Sequence, residues 1–280
     1  MAQMLMRLVA AMPLVLAQSA GWLLGWLIYI SSPRYRRHLR ENLATAGYAA
    51  DARVRHEAIA AAGCLLTELP ALWLRPHSDV AALVHEVNGL ELIDEAKAAG
   101  HGIVLITPHL GCFEICAQYG SLLFPMTIMY RPPKIGWFEP FMRAGRERPG
   151  VRLATADYNG VRDLLLALRR HEAIGILPDQ VPGEGEGEWA DFFGRPAYTM
   201  TLAPKLAARK GVVCLIAFAR RLPWGRGYTI SLRALGEART GESDARRLNR
   251  AIEELIRECP GQYLWGYNRY KTPSGASEPT

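Results

Sequence analysis

The sequence predicts an α/β fold, an α/β sandwich around a largely parallel central sheet with an N-terminal transmembrane helix. Three observations predict it. Short apolar runs of strand length alternate with segments of helical period through most of the chain. An uncharged stretch runs from Leu8 to Ile30. Half of the 280 residues are hydrophobic, enough to bury a full core and too many for a disordered protein. The 33 Lys and Arg exceed the 27 Asp and Glu by six. That modest excess suits an anionic membrane surface or an acidic partner and does not suggest nucleic acid. The five cysteines, Cys64, Cys112, Cys116, Cys214 and Cys259, are odd in number and irregular in spacing. Reduced, cytosol-facing thiols are expected rather than a disulfide framework.

The Leu8–Ile30 run has 23 residues, about 34 Å as a helix, enough to cross the roughly 30 Å hydrocarbon core. Trp22, Trp26 and Tyr29 stand toward its end, where interfacial aromatics belong. Its length and bulky end argue against a cleaved signal peptide. Arg34, Arg36, Arg37 and Arg40 follow with no acid among residues 31–40, and only Arg7 precedes the run. The positive-inside rule then places the remainder in the cytoplasm, with a single anchor. The expected organisation is an anchor over residues 1–32, a catalytic domain over 33–271 and a disordered tail over 272–280.

From Pro33 to about Leu74 the pattern is helical, with Pro70 and Pro76 punctuating its end. A short helix over 90–99 stops at Gly100, and Ile103–Ile106 reads as a buried strand. Further strands are expected at 127–130, 174–177, 212–219 and 228–232. Helices are expected at about 114–123, 160–171, 202–210 and 242–258. The alternating glycines of residues 183–188 read as a mobile loop. Phe192 to Ala197 after it reads as a lid or pocket wall.

In open α/β sheets ligands gather beyond the carboxyl ends of the strands. Two apolar runs end in similar polar punctuation, Thr107-Pro108-His109 and Pro178-Asp179-Gln180. If both strands are parallel and central, His109 and Asp179 emerge at one edge. Glu114 follows His109 by five residues. They meet only if His109 lies in a turn, freed by Gly111, and Glu114 in the first turn of a helix. A carboxylate on one imidazole nitrogen would leave the other free to take a proton. The bland alternative has His109 capping the helix and Glu114 at the surface. A zinc site at His109, Cys112 and Cys116 lacks a further Cys/His pair, and a Cys112 nucleophile is less common than a buried cysteine. Residues 131–152 combine Arg131, Lys134, Arg143, Arg146, Arg148 and Arg152 with Trp137, Phe138 and Phe141. That mixture suits a lipid headgroup or phosphate at a membrane interface.

Taken together, these residues resemble the late acyltransferases of lipid A biosynthesis, the lauroyl/myristoyl transferase family of the lysophospholipid acyltransferase superfamily. The matching pieces are Asn42-Leu43, the H-x4-[DE] run from His109 to Glu114, Tyr130-Arg131-Pro132, Gly145 to Arg148, Pro178-Asp179-Gln180, Phe192-Phe193-Gly194, and Gln262 to Lys271. Gly266-Tyr267-Asn268 departs from a His-containing segment common in the family. The resemblance implies a glycerol-3-phosphate-acyltransferase-like fold at the bacterial inner membrane. It implies acyl transfer from acyl-acyl carrier protein to a hydroxyl of a lipid A precursor, with no cofactor and no metal. His109 would be the general base and Glu114 its orienter. Arg146, Asp179, Arg131, Arg148 and Gln180 would bind substrate or steady the site. The alternatives are a lysophospholipid or other glycolipid acceptor, and a non-catalytic membrane lipid-binding protein.

Overall fold

The computed structural model describes residues 2–133 and 136–276. Lys134, the side chain of Trp137 and the end of the expected disordered tail, residues 277–280, lie outside the described residues.

The N-terminal apolar run is divided by Pro13 into α1 (Ala2–Ala11) and α2 (Leu14–Ser31). α2 alone is about 27 Å long, and it is a candidate membrane anchor. Its buried residues, Leu14, Ala17, Gly21, Gly25 and Tyr29, recur at helical spacing along one face. Leu16, Trp22, Leu23, Leu27 and Ile30 are exposed. Gly21 and Gly25 meet Gly63 of a longer helix further along the chain so closely that a β-carbon on any of the three would strike the facing backbone. Between them α3 (Pro33–Thr45) starts at Pro33, with the Ser32 hydroxyl accepting from the Tyr35 N–H. A turn at Gly47, with φ of +87°, separates it from α4 (Ala52–Leu74). The expected stop at Pro70 does not occur. α4 continues through it, and Pro70 is itself buried, so packing outweighs the lost backbone hydrogen bond. Although α4 is also long and apolar enough to cross a membrane, it is mostly buried against the domain.

After α5 (His77–Ala81) the chain enters the sheet region: β1 (Val84–Asn88), α6 (Glu91–Ala98), β2 (Gly102–Ile106), α7 (Phe113–Leu123) and β3 (Met126–Tyr130). There follow α8 (Glu139–Arg146), β4 (Val151–Thr155), α9 (Tyr158–Arg169) and β5 (Ala173–Ile176). The remainder is β6 (Gly187–Phe192), β7 (Arg195–Met200), α10 (Leu202–Ala207), β8 (Val212–Arg221), β9 (Tyr228–Ala234) and α11 (Asp244–Glu258). Seven strands form one sheet in the order β1-β9-β8-β2-β5-β3-β4. All its pairings are parallel except β8 with β9. The expected α/β sandwich with a largely parallel sheet is thus present. β1 and β4, at its two edges, were not expected; their burial alternates or is partial, and they lack a continuous apolar run.

The sheet separates two cores. Val104, Ile106, Ile174, Ile176, Ile216 and Phe218 face α9, α10 and α11; Ile103, Leu105, Ala173, Leu215 and Ala217 face α6 and α7 with Leu72 and Trp73 of α4. The glycine-rich segment leads into a hairpin, since β6 and β7 pair antiparallel with Phe192 opposite Arg195. Phe193 and Gly194 both have positive φ, 51° and 73°, which suits a two-residue turn between strands of right-handed twist. Phe193 packs on Phe192 and Trp265, so this turn braces the C-terminal segment.

Candidate active site

The register of the two central strands decides the site. Ile106 of β2 pairs with Ile176 of β5. Three residues beyond each stand His109 and Asp179, so two loops leaving one sheet edge meet although 70 residues separate them. His109 Nδ1 lies 2.8 Å from Asp179 Oδ1, and the His109 backbone N–H donates to Asp179 Oδ2 at 2.9 Å. An ionised carboxylate only accepts, so Nδ1 carries the proton and Nε2 of the neutral ring keeps a lone pair. The Gln180 amide nitrogen lies 3.2 Å from that Nε2, in position to donate to it. The imidazole is 16 % exposed and Asp179 only 2 %, so one end of the pair reaches the cleft and the other is enclosed. Burial pushes the Asp179 carboxyl up, but the His109 imidazole beside it and the hydrogen bonds from His109 bring it below its ordinary value. Against Asp179, Tyr263 is buried and its phenol is pushed well up, first by burial and then by that carboxylate.

The loop between β2 and α7 is braced from two directions. Gly111 has φ of +62°, and a β-carbon there would strike the Ala219 carbonyl of β8. The Cys112 N–H donates to that carbonyl, and the Gly111 N–H donates to Gln262 O at 3.0 Å. The Leu264 N–H donates to the carbonyl of His109 itself at 3.1 Å. The C-terminal run Gln262 to Lys271 therefore supports the site. Asn42 of α3 holds this run by donating to the carbonyls of Trp265 and Tyr267, and buried Arg269 ties it to Tyr198, Thr199 and Asn249.

Glu114 stands in the first turn of α7, as expected, but the carboxylate on His109 Nδ1 is that of Asp179. Glu114 is turned toward α4 and α8. It is 5 % exposed and accepts from both Arg146 Nε, at 3.0 Å, and Arg146 Nη2, while the Trp73 indole N–H donates to it at 3.2 Å. The strand register explains the difference: Asp179 is already held against His109 by backbone as well as side chain, and Glu114, in the first turn of α7, meets the half-buried Arg146 guanidinium. Burial alone would push the Arg146 guanidinium down; the Glu114 carboxylate more than offsets it. Trp73, 41 residues from Glu114, gave no sign in the sequence of belonging to the site.

The other expected substrate-binding residues divide. Arg131 stands exposed at the cleft rim, and Gln180 lines it beside His109. Arg148 does not reach the cleft. Its Nη2 donates to the carbonyls of Leu72, Trp73 and Arg75, satisfying the C-terminal end of α4. Arg143 bonds Tyr130 and Glu147, and Arg152 bonds Glu172, so most of the basic stretch is internally paired. Burial pushes Cys112 well up, and Cys116 up to about 12, mainly by burial. Neither is an activated thiol. No group of three or more metal-ligating residues occurs among the described residues.

The cleft holds about 290 Å³ between these groups. His109, Glu114, Gln180, Arg131 and Arg146 provide its polar wall, and Ile128, Met129, Met142, Leu177 and Met200 its apolar wall. A polar end carrying an imidazole lone pair beside a flexible apolar lining fits a molecule with a reactive head and an alkyl chain.

The chain matches the bacterial lipid A biosynthesis acyltransferase family over residues 1–272. It is 28 % identical to a lipid A biosynthesis lauroyltransferase of Escherichia coli K12 over 221 residues, 76 % of this chain and 70 % of that protein. It is 29 % identical to a lipid A biosynthesis palmitoleoyltransferase of the same organism over 219 residues, 77 % and 71 % of the two chains. With a lipid A biosynthesis acyltransferase of Haemophilus influenzae it shares 31 % identity over 188 residues, 64 % and 57 % of the two chains. A family match across nearly the whole length, on a fold that places a histidine and an acid at the edge of a parallel sheet, identifies the chain as a member of the bacterial lipid A biosynthesis acyltransferases.

Proposed function

We propose that this protein transfers a fatty acyl chain from acyl-acyl carrier protein to a hydroxyl of a lipid A precursor, with His109 as general base. The observation that carries the reading is the His109 ring itself: Nδ1 is held by buried Asp179 and Nε2 looks into a cleft with an apolar wall. The acceptor hydroxyl replaces the Gln180 amide at Nε2 and gives up its proton as its oxygen attacks the thioester carbonyl. Asp179 keeps the ring in the productive tautomer and stabilises the imidazolium that forms. The carrier thiol leaves, and His109 returns the proton to it. Neither Cys112 nor Cys116 supports a covalent acyl-enzyme, so the kinetics are sequential rather than ping-pong. The Glu114–Arg146 pair shapes the cleft wall, and Arg131 at the rim is available to an anionic headgroup. The donor's acidic carrier suits the chain's net charge of +6. An apolar α2 followed by arginines supports a site at the cytoplasmic face of the inner membrane.

The test is acyl transfer from acyl-acyl carrier protein to a lipid A precursor by folded, membrane-bound His109→Ala. Turnover should fall by roughly 10²–10⁴-fold, the usual worth of general-base catalysis. Turnover close to wild type would remove His109 from the chemistry and the reading with it. Lysophospholipid offered instead of the precursor separates the two acceptor classes.

A further inference from the structure

A second apolar feature lies outside the cleft, where α2 meets the connection between β8 and β9. Trp224 at the tip of this connection is 84 % exposed and adopts a left-handed conformation, φ 60° and ψ 32°, that a bulky side chain rarely takes. The strain is held in place by α2. The Gly225 N–H donates to Gln18 Oε1 at 3.0 Å, and Gly225 lies so close to Val15 that a β-carbon would strike its backbone. Gln18 is in turn fixed by donating to Glu68 at 3.0 Å, and Glu68 is buried in a two-bond ion pair with Arg221 at the end of β8. The most polar side chain of an otherwise apolar helix therefore serves to lock this turn against it.

The locked turn extends the exposed apolar face of α2. Trp22 and Leu23 are each at least half exposed, and with Trp224 they border a groove of about 870 Å³ between α2, α4 and the turn. Exposed Arg220 and Arg226 flank the turn. We propose that residues 222–226 form a second bilayer-contact element, which seats Trp224 at the headgroup boundary of the leaflet that receives the outer face of α2. Three features favour a bilayer over a protein partner. The patch is continuous with the candidate anchor, its tryptophans suit a layer that is wet on one side and apolar on the other, and its arginines suit anionic headgroups. The groove would then be filled by lipid acyl chains. Docked along α4 and joined to the turn, α2 meets lipid with one face, and the domain is held at a set distance and tilt.

Full-length protein in vesicles of phosphatidylcholine and phosphatidylglycerol, with bromine on the acyl chains near the glycerol, provides the test, because bromine quenches tryptophan only on close approach. Quenching should be larger in wild type than in Trp224→Phe by about one indole's contribution, and Trp224→Asp should release a larger share of protein from the vesicles at high salt. Equal quenching of wild type and Trp224→Phe would overturn the proposal, whether the turn faces water, a second copy or another protein. None of these outcomes depends on whether His109 moves acyl groups.

Discussion

At the scale of single residues, the site contains two acid–base pairs with different work. The His109–Asp179 pair turns a ring nitrogen with a lone pair toward the cleft, whereas the Glu114–Arg146 pair closes a two-bond ion pair in the cleft wall. Asp179→Asn should therefore reduce turnover by roughly 10²-fold or more, since an amide no longer compels Nδ1 to carry the proton. Combined with His109→Ala it should add little, because residues acting as a unit are not additive. Independent, multiplicative losses in the acyl-transfer assay would give Asp179 a role apart from His109. The same carboxyl sets a pH dependence of stability. Its folded pKa lies below its ordinary value, so its stabilisation is fully present above its unfolded pKa and is lost as pH falls through the folded one. The stability difference between wild type and Asp179→Asn in denaturant melts should be complete at pH 7 and shrink below about pH 4. A difference that grows on acidification would reverse the sign assigned here.

At the scale of elements, Arg148 shows how a cationic side chain near a site can belong to a helix end. It supports three carbonyls at the close of α4, whose Trp73 holds Glu114. Having no carboxylate partner among its hydrogen bonds, it is pushed down by burial. Arg148→Ala should lower stability by about 1–3 kcal/mol, the cost of leaving buried acceptors unsatisfied, with an unchanged KM for the acceptor lipid. A raised KM at unchanged stability would restore it to substrate binding. The hairpin of β6 and β7 carries a related lesson. Its aromatic turn packs on Trp265, and Met200, at its far end, lines the cleft.

For the whole molecule, the main consequence is that α2 is part of the packed structure. Its small-residue face covers Gly63 and Cys64 of α4, and its Gln18 bonds the buried Glu68 that pairs with Arg221. Arg221 also approaches the Gly111 carbonyl at 3.5 Å, two residues from His109. Deletion of residues 1–31 should therefore yield a destabilised, aggregating protein, because it uncovers an apolar face and leaves the Glu68–Arg221 pair open to water. Size-exclusion chromatography and thermal melts in detergent would show it. A monodisperse fragment melting near the full-length temperature would mean that α2 adds nothing to the domain.

The sequence by itself determined the α/β class, the central strands, the apolar N-terminal helix and the emergence of His109 and Asp179 at one sheet edge. Each rests on a local pattern: a run of buried β-branched residues, an uncharged stretch, polar punctuation after a strand. Tertiary structure alone decided which carboxylate meets the histidine. Glu114 was the nearer in sequence, but contact follows the pairing of Ile106 with Ile176 across two strands, and register is a long-range property that no local spacing encodes. The same reason separates the arginines. Arg146 and Arg148 are two residues apart in one basic run, yet one meets a carboxylate and the other a helix end. What surrounds each side chain is set by elements folded against it from elsewhere in the chain.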